Sequence, residues 1–364
     1  MGDKLDIFML SDWCQRTGDT LVISGPCSAE SEEQVMQTAL GVKECNVDVL
    51  RAGIWKPRTR PGSFEGVGRK GLKWLKKARR ATNLPVTVEV ANSEHVEECL
   101  EHEIDILWIG ARSAANPFTV EGIARVLNGI DIPVLVKNPI NPDLELWIGA
   151  LERLNRVGIK KLAAIHRGFS SYKKSLYRNE PNWRIPVELR RRHPNLPIIC
   201  DPSHICGNRE LLSTVMQKAM DLLFDGLMIE CHVDPESALS DSKQQVTPDQ
   251  LKDLLSRLQF KALSTDDMQY HQRIEELRET INEIDDQVVT LFAKRMEVST
   301  EIGRYKKKSK IAILQPERWE EIVQTRIKAG MDRNLSEDFV FNIYQFIHEE
   351  SIRKQEEASE REER

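Results

Sequence analysis

What the 364-residue chain lacks first is paired cysteine. Its seven cysteines (Cys14, Cys27, Cys45, Cys99, Cys200, Cys206 and Cys231) are odd in number, scattered and never spaced as CxxC. That disfavours a disulfide framework and a structural zinc knuckle, and it fits reduced thiols in a cytoplasmic protein. No apolar run approaches the roughly 20 residues of a membrane-spanning helix. The opening stretch MGDKLDIFMLSDW has no signal-peptide pattern, and Asp6 stands where a myristoylation signal needs Ser or Thr. A surplus of one charge is missing too. The net charge of −5 gives neither nucleic acid nor an anionic membrane a reason to bind. Finally, no GxGxxG follows the first apolar run, which counts against an open dinucleotide-binding sheet.

What is present changes character along the chain. Eight short runs, nearly continuous in apolar character, occupy residues 21–25, 47–53, 85–90, 104–110, 133–138, 161–168, 197–201 and 226–231. Parallel strands covered on both faces read this way. Amphipathic stretches such as GLKWLKKARRAT and ELLSTVMQKAM separate them. Eight strand-then-helix units in about 250 residues have the size and rhythm of a (β/α)8 TIM barrel. Beyond residue 260 the strands stop. Apolar positions then recur at alternating steps of three and four from Ile274 to Tyr305, and no Gly or Pro interrupts residues 264–302. A helix of about 40 residues is expected there, followed by one opening at Pro316 and one near Ser336. The fold class is therefore α/β followed by all-α: a barrel domain over 1–260, a linker over 261–269 and a helical domain over 270–364.

Barrel chemistry collects where strands end. The ends here carry Cys27, Arg51, Lys56, Glu89, Arg112, Lys137, His166, Arg167, Asp201, His204, Glu230 and His232, with Asp241 just beyond. A single polar residue at a strand end is ordinary, but a ring of them is not. Cys27, His204, Glu230 and Asp241 offer a thiolate, an imidazole and two carboxylates, a mixed set suited to a divalent transition metal. Arg51, Lys56, Arg58, Arg112, Lys137 and Arg167 carry enough positive charge for several phosphate or carboxylate groups.

The motifs GPCSAES, RAGIWKPRT, IGAR, VKN, IHRG, DPSH and IECH, then LSDSKQQ, stand in one order across residues 5–260. Together they resemble 3-deoxy-D-arabino-heptulosonate-7-phosphate (DAHP) synthase, in the shorter bacterial subtype related to 3-deoxy-octulosonate-8-phosphate synthases. The resemblance implies that Cys27, His204, Glu230 and Asp241 hold one divalent metal ion, Mn²⁺ foremost, with Fe²⁺, Co²⁺ or Zn²⁺ also allowed. It implies that Arg51, Lys56, Arg112, Lys137 and Arg167 hold phosphoenolpyruvate, with Asp201 also at the substrate site and Lys56 as proton donor. KPRT, residues 56–59, corresponds to the erythrose 4-phosphate site, with Arg58 on the phosphate, Thr59 in the same motif and Ser113 as helper. Glu89 is a candidate for activating water, with a buried acid paired to a cation as the alternative.

In the long helix, the three-four pattern continued from Leu291 lands on Arg295, where an aliphatic residue belongs. Arg278, Lys306 and Arg318 read as lying on or beside the same inward face. Such cations without matching acids imply an anionic ligand between helices. LRETINEID, LFAKRMEV, IGRYK, QPER and HEESIRKQ resemble the all-helical chorismate mutases over residues 268–355. That resemblance assigns Arg278, Arg295, Lys306, Gln315, Arg318, Ser351 and Gln355 to the site, with Arg295, Lys306 and Gln355 catalytic. Gln315 departs from the acid of several relatives, which weakens one hydroxyl contact. It also implies that the long helix pairs across a dimer and that Arg278 comes from the other chain.

The expectation is then a bifunctional shikimate-pathway enzyme acting on phosphoenolpyruvate, erythrose 4-phosphate and chorismate, a homodimer or higher homo-oligomer with prephenate feedback on the barrel. The alternative is an active barrel whose C-terminal domain chiefly binds prephenate or chorismate, regulates and dimerises.

Overall fold

The computed structural model describes residues 4–56, 62–172, 175–261 and 267–360. The chain falls into two compact units, Met1–Ala262 and Leu263–Arg364.

In the first, strands β1 (Leu21–Gly25), β2 (Val49–Ala52), β3 (Val86–Val90), β4 (Ile106–Ile109), β5 (Val134–Lys137), β6 (Leu162–His166), β7 (Ile198–Cys200) and β8 (Gly226–Glu230) form a closed barrel in sequential order. Every pairing is parallel, and β8 closes on β1 with Leu21 opposite Gly226 and Gly25 opposite Glu230. The helices are α1 (Glu32–Lys43), α2 (Lys70–Thr82), α3 (Ser93–Glu101), α4 (Ala111–Ala114), α5 (Pro117–Val126), α6 (Leu144–Arg156), α7 (Arg184–Arg192), α8 (Pro202–Cys206), α9 (Leu212–Asp221) and α10 (Pro248–Ser256). All eight apolar runs became strands, trimmed at their ends.

Helix starts follow local chemistry. Side chains of Ser31, Asn92 and Asp143 accept from the backbone N–H of Gln34, His95 and Leu146, satisfying first-turn donors. Thr247 and Gln250 make a reciprocal capping box ahead of α10. Apolar side chains divide into two layers. One, including Leu50, Val88, Trp147 and Leu227, lies between strands and helices. The other, including Ile23, Val49, Leu135, Ile165, Ile199 and Met228, fills the barrel, so the interior is packed rather than open. Leu10 and Cys14 join that inner cluster beside Leu21 and Ile106, the first residues of β1 and β4.

The second unit holds α11 (Met268–Lys308), α12 (Pro316–Met331) and α13 (Glu337–Glu360). Asp267 caps α11, so that helix begins inside the stretch the sequence reads as linker. Helix α13 runs into the charged tail, and Ala358 is buried. Much of the apolar seam of α11 remains uncovered within one chain: Ile281 is 55 %, Ile284 52 %, Leu291 63 % and Val298 57 % exposed.

Candidate active sites

The carboxyl ends of the strands bring a thiol and two carboxylates together. Cys27 follows β1, Glu230 ends β8, and Asp241 lies in the connection to α10 with a left-handed φ of +47°. Their ligand atoms all lie within 4.8 Å of one another, with Cys27 Sγ 3.3 Å from Asp241 Oδ2. His204 comes from α8, and its Nε2 is 3.7 Å from Glu230 Oε1. Asp201 aims that ring. Its carboxylate caps α8 through the His204 N–H at 3.1 Å and meets His204 Nδ1 at 2.8 Å, leaving Nε2 for the cluster. Lys137 Nζ reaches the same carboxylate at 2.8 Å. Asp201, read from sequence as touching substrate, is thus fully buried between Lys137 and His204.

Electrostatics fit a cation at this cluster. Burial pushes the Cys27 thiol up to about 12, with Glu230 adding to the rise and Lys56 opposing it. A thiol so placed becomes a ligand only when a bound cation displaces its proton. Burial works against charge on Glu230 and Asp241 as well. Even so, His204 and Arg51 hold the first carboxyl below its ordinary value, and Arg178 and His204 hold the second there. Among the described residues, Glu230 Oε1 is buried without a hydrogen bond. Four donors of types suited to a divalent transition metal, two of them kept ionised, fit the ion implied by the sequence.

A cationic wall stands beside the cluster. Arg51 is fully buried, with Nη2 3.2 Å from Glu230 Oε1 and its guanidinium carbon 5.0 Å from the Trp108 ring centre. Its Nε and Nη1 are buried with no hydrogen-bond partner among the described residues, a cost that an anionic ligand would relieve. Lys56 Nζ donates to Cys27 Sγ and to Cys27 O, each at 3.0 Å. Burial opposes its charge, yet Cys27, Glu230 and Glu89 raise its pKa above the ordinary lysine value, so it remains an ammonium. Arg167 donates to Asn179 Oδ1 at 2.7 Å. Burial lowers its pKa to about 10, with Asp201 opposing the fall and Arg178 and Arg112 adding to it, so these arginines share one field. Arg112 on α4 is exposed and Ser113 is buried, its hydroxyl 3.4 Å from Ala91 O. Arg58 and Thr59 lie outside the described residues.

Glu89 accepts from Trp108 Nε1 at 3.2 Å. His166 points into the apolar layer against Phe169, Trp183 and Phe224, and burial drops its pKa to about 3, so it is a neutral core residue. Sequence reasoning missed Trp108, Arg178 and Gln244. Arg178 Nη1 donates to Asp241 Oδ1 at 2.9 Å and to Gln244 Oε1 at 2.8 Å. The available signal was length: the connection from β6 to α7 spans 167–183, and long structured connections in compact domains tend to be functional.

In the helical unit, Arg295 Nη1 donates to Ser351 Oγ, which donates in turn to Ile347 O at 2.6 Å. Lys306 Nζ donates to Ile313 O at 2.6 Å. Burial lowers the pKa of both cations. Gln355 is buried, and a Cβ on Gly303 would lie 2.7 Å from its Cα, so the glycine lets α11 and α13 touch there. Arg278 and Arg318, expected on the inward face with Arg278 serving the other chain's site, are exposed within one chain. They are 67 % and 60 % exposed and pair along their own helices with Glu275 and Glu321. Gln315 is exposed at the start of α12.

Residues 13–266 match the family model of the DAHP synthetase I family, and residues 277–356 match that of chorismate mutase type II. A phospho-2-dehydro-3-deoxyheptonate aldolase of Thermotoga maritima is 34 % identical over 237 residues, covering 65 % of this chain and 68 % of that one. A 2-dehydro-3-deoxyphosphooctonate aldolase of Desulfotalea psychrophila is 29 % identical, covering 65 % of this chain and 88 % of its own. The crystal structure of a Thermotoga maritima DAHP synthase matches with a TM-score of 0.59 at 33 % identity, over 66 % of this chain and 68 % of that one. A truncated form of the 3-deoxy-D-arabino-heptulosonate 7-phosphate synthase from the same organism gives 0.57 at 28 % identity, over 73 % and 88 %.

Proposed function

This chain belongs to the DAHP synthetase I family and carries a type II chorismate mutase domain behind its barrel, and we propose on that footing how its residues divide two reactions. It is a DAHP synthase and a chorismate mutase. At the barrel mouth phosphoenolpyruvate, erythrose 4-phosphate and water become DAHP and inorganic phosphate. The observation that carries this reading is the convergence of Cys27, Glu230 and Asp241 beside a buried Arg51 with two unsatisfied donors.

Cys27, His204, Glu230 and Asp241 would hold a divalent ion, Mn²⁺ foremost, which when bound supplies Lewis acidity toward the aldehyde of the sugar phosphate. Arg51, Arg112, Lys137 and Arg167 bind and orient phosphoenolpyruvate through its carboxylate and phosphate. Carbon–carbon bond formation joins C3 of phosphoenolpyruvate to the aldehyde carbon. Lys56, kept as an ammonium, gives the proton that the former aldehyde oxygen takes up. Water adds at C2, and the C2–O bond to phosphate breaks. The same cations stabilise the phosphate-bearing species on the way. Arg58 and Thr59 serve the sugar phosphate, with Ser113 nearby. Chelation should abolish DAHP formation and added Mn²⁺ restore it; full turnover in metal-free protein would refute the ligand set.

In the helical unit, Arg295, Arg318 and a second copy's Arg278 hold the two carboxylates of chorismate, Gln315 binds its hydroxyl, and Ser351 orients Arg295. Lys306 keeps two ammonium donors beyond the one given to Ile313, and with Gln355 it stabilises charge growing on the ether oxygen. The uncovered seam of α11 supports a homodimer or higher homo-oligomer. Prephenate acts back on the barrel in this reading. DAHP formation should slow as prephenate is added, and a rate flat across a broad concentration range would remove the feedback.

A further inference from the structure

Both carboxylates among the proposed metal ligands carry an oxygen that faces away from the cluster, and one side chain controls both. Asp241 gives Oδ1 to Arg178 Nη1 at 2.9 Å while its Oδ2 meets Cys27 Sγ at 3.3 Å. Arg178 also donates to Gln244 Oε1 at 2.8 Å, and Gln244 Nε2 passes the contact on to Glu230 Oε2 at 2.6 Å. Glu230 Oε1 is thereby left toward His204 Nε2, 3.7 Å away. A single guanidinium therefore occupies the outer oxygen of one acid directly and of the other through an amide, leaving Asp241 Oδ2 toward Cys27 and Glu230 Oε1 toward His204 and Arg51.

The backbone around Arg178 ties in the third element. The Arg178 and Asn179 N–H groups donate to Cys206 O and Ile205 O, and Asn179 Nδ2 donates to His204 O at 2.6 Å. Gly207, with φ of +70°, admits this approach, because a Cβ there would lie 2.5 Å from Arg178 Cβ. The segment is fastened to the helix bearing His204, while its arginine reaches across to Asp241 and Gln244.

We propose that Arg178 is a positioning residue of the metal centre: with Gln244 it pre-orients both carboxylate ligands so that each presents one oxygen. This rests on the metal-site reading given above. Two features favour it over a plain surface ion pair. One nitrogen, Nη1, donates to both Asp241 Oδ1 and Gln244 Oε1, so the two side chains are held to a single point. The backbone of the same connection is held separately by Arg209, which donates to Gln245 O and Ser242 O.

The test uses the full chain stripped of metal and titrated with Co²⁺, following the thiolate-to-cobalt absorption band. Outer-shell partners of ligands are typically worth 10–100-fold in metal affinity, so Arg178→Ala should raise the Co²⁺ dissociation constant by about that factor. Arg178→Lys should recover part, because its ammonium can serve both acceptors from one nitrogen but sits on a stem one bond shorter. Gln244→Leu, which leaves the Arg178–Asp241 pair intact, should produce a smaller loss. An unchanged constant in Arg178→Ala overturns the proposal. So does a tighter one, which would make Arg178 a competitor of the ion. Failure of the unaltered chain to give the thiolate band would instead overturn the metal site itself.

Discussion

Gly110 shows how little room the barrel mouth has for a change of one carbon. A Cβ there would sit 2.1 Å from Glu89 Oε1, and the other oxygen of that carboxylate holds Trp108 Nε1. The Trp108 ring in turn lies 5.0 Å from the Arg51 guanidinium and 5.9 Å from Lys137 Nζ. Gly110→Ala must displace the Glu89 carboxylate from its hydrogen bond to Trp108 Nε1, beside two of the cations. Misplacing binding groups by about 1 Å costs on the order of 100-fold. Initial rates of DAHP formation should fall by that order while chorismate turnover stays unchanged; an unaltered KM and kcat for phosphoenolpyruvate would contradict it. The convergence of Cys27, Glu230 and Asp241 was legible because chemistry-bearing types at or beyond strand ends stand out in an apolar pattern. Arg178 was not, since a lone arginine in a long connection has no periodicity to place it. Nor could residue types reveal that Asp201 is taken up by Lys137 and His204.

At the scale of elements the strands were readable because burial on both faces leaves continuous apolar runs, and every run produced one. Helix α11 was readable for a different reason, its three-four spacing, breached at Arg295. What the spacing could not tell is which surface covers the seam. Within one chain Arg278 and Arg318 stay exposed, and Ile281, Ile284 and Leu291 lie open to water. An apolar stripe of this kind calls for a partner surface, and a second α11 is of matching chemistry. Leu291→Asp should therefore convert the chain to a monomer in sedimentation experiments. It should also remove chorismate turnover, because Arg278 of the second copy is lost to the site. A monomeric unaltered chain, or a monomeric variant that keeps full mutase activity, would refute this arrangement.

For the whole molecule, the chain joins two chemistries that need nothing from each other at the level of bonds. In the proposed reading one site, at the barrel mouth, gathers a thiol, an imidazole, carboxylates and buried cations for a condensation that moves protons and releases phosphate. The other, among α11, α12 and α13, needs only cations and hydrogen-bond donors for a rearrangement without a nucleophile. The most direct measurement assays both reactions in one preparation, on the intact chain and on its Cys27→Ala and Arg295→Ala variants. The account predicts that the first variant loses DAHP formation and keeps chorismate turnover, and that the second does the reverse. No prephenate formed by the intact chain, or chorismate turnover untouched by Arg295→Ala, would contradict it.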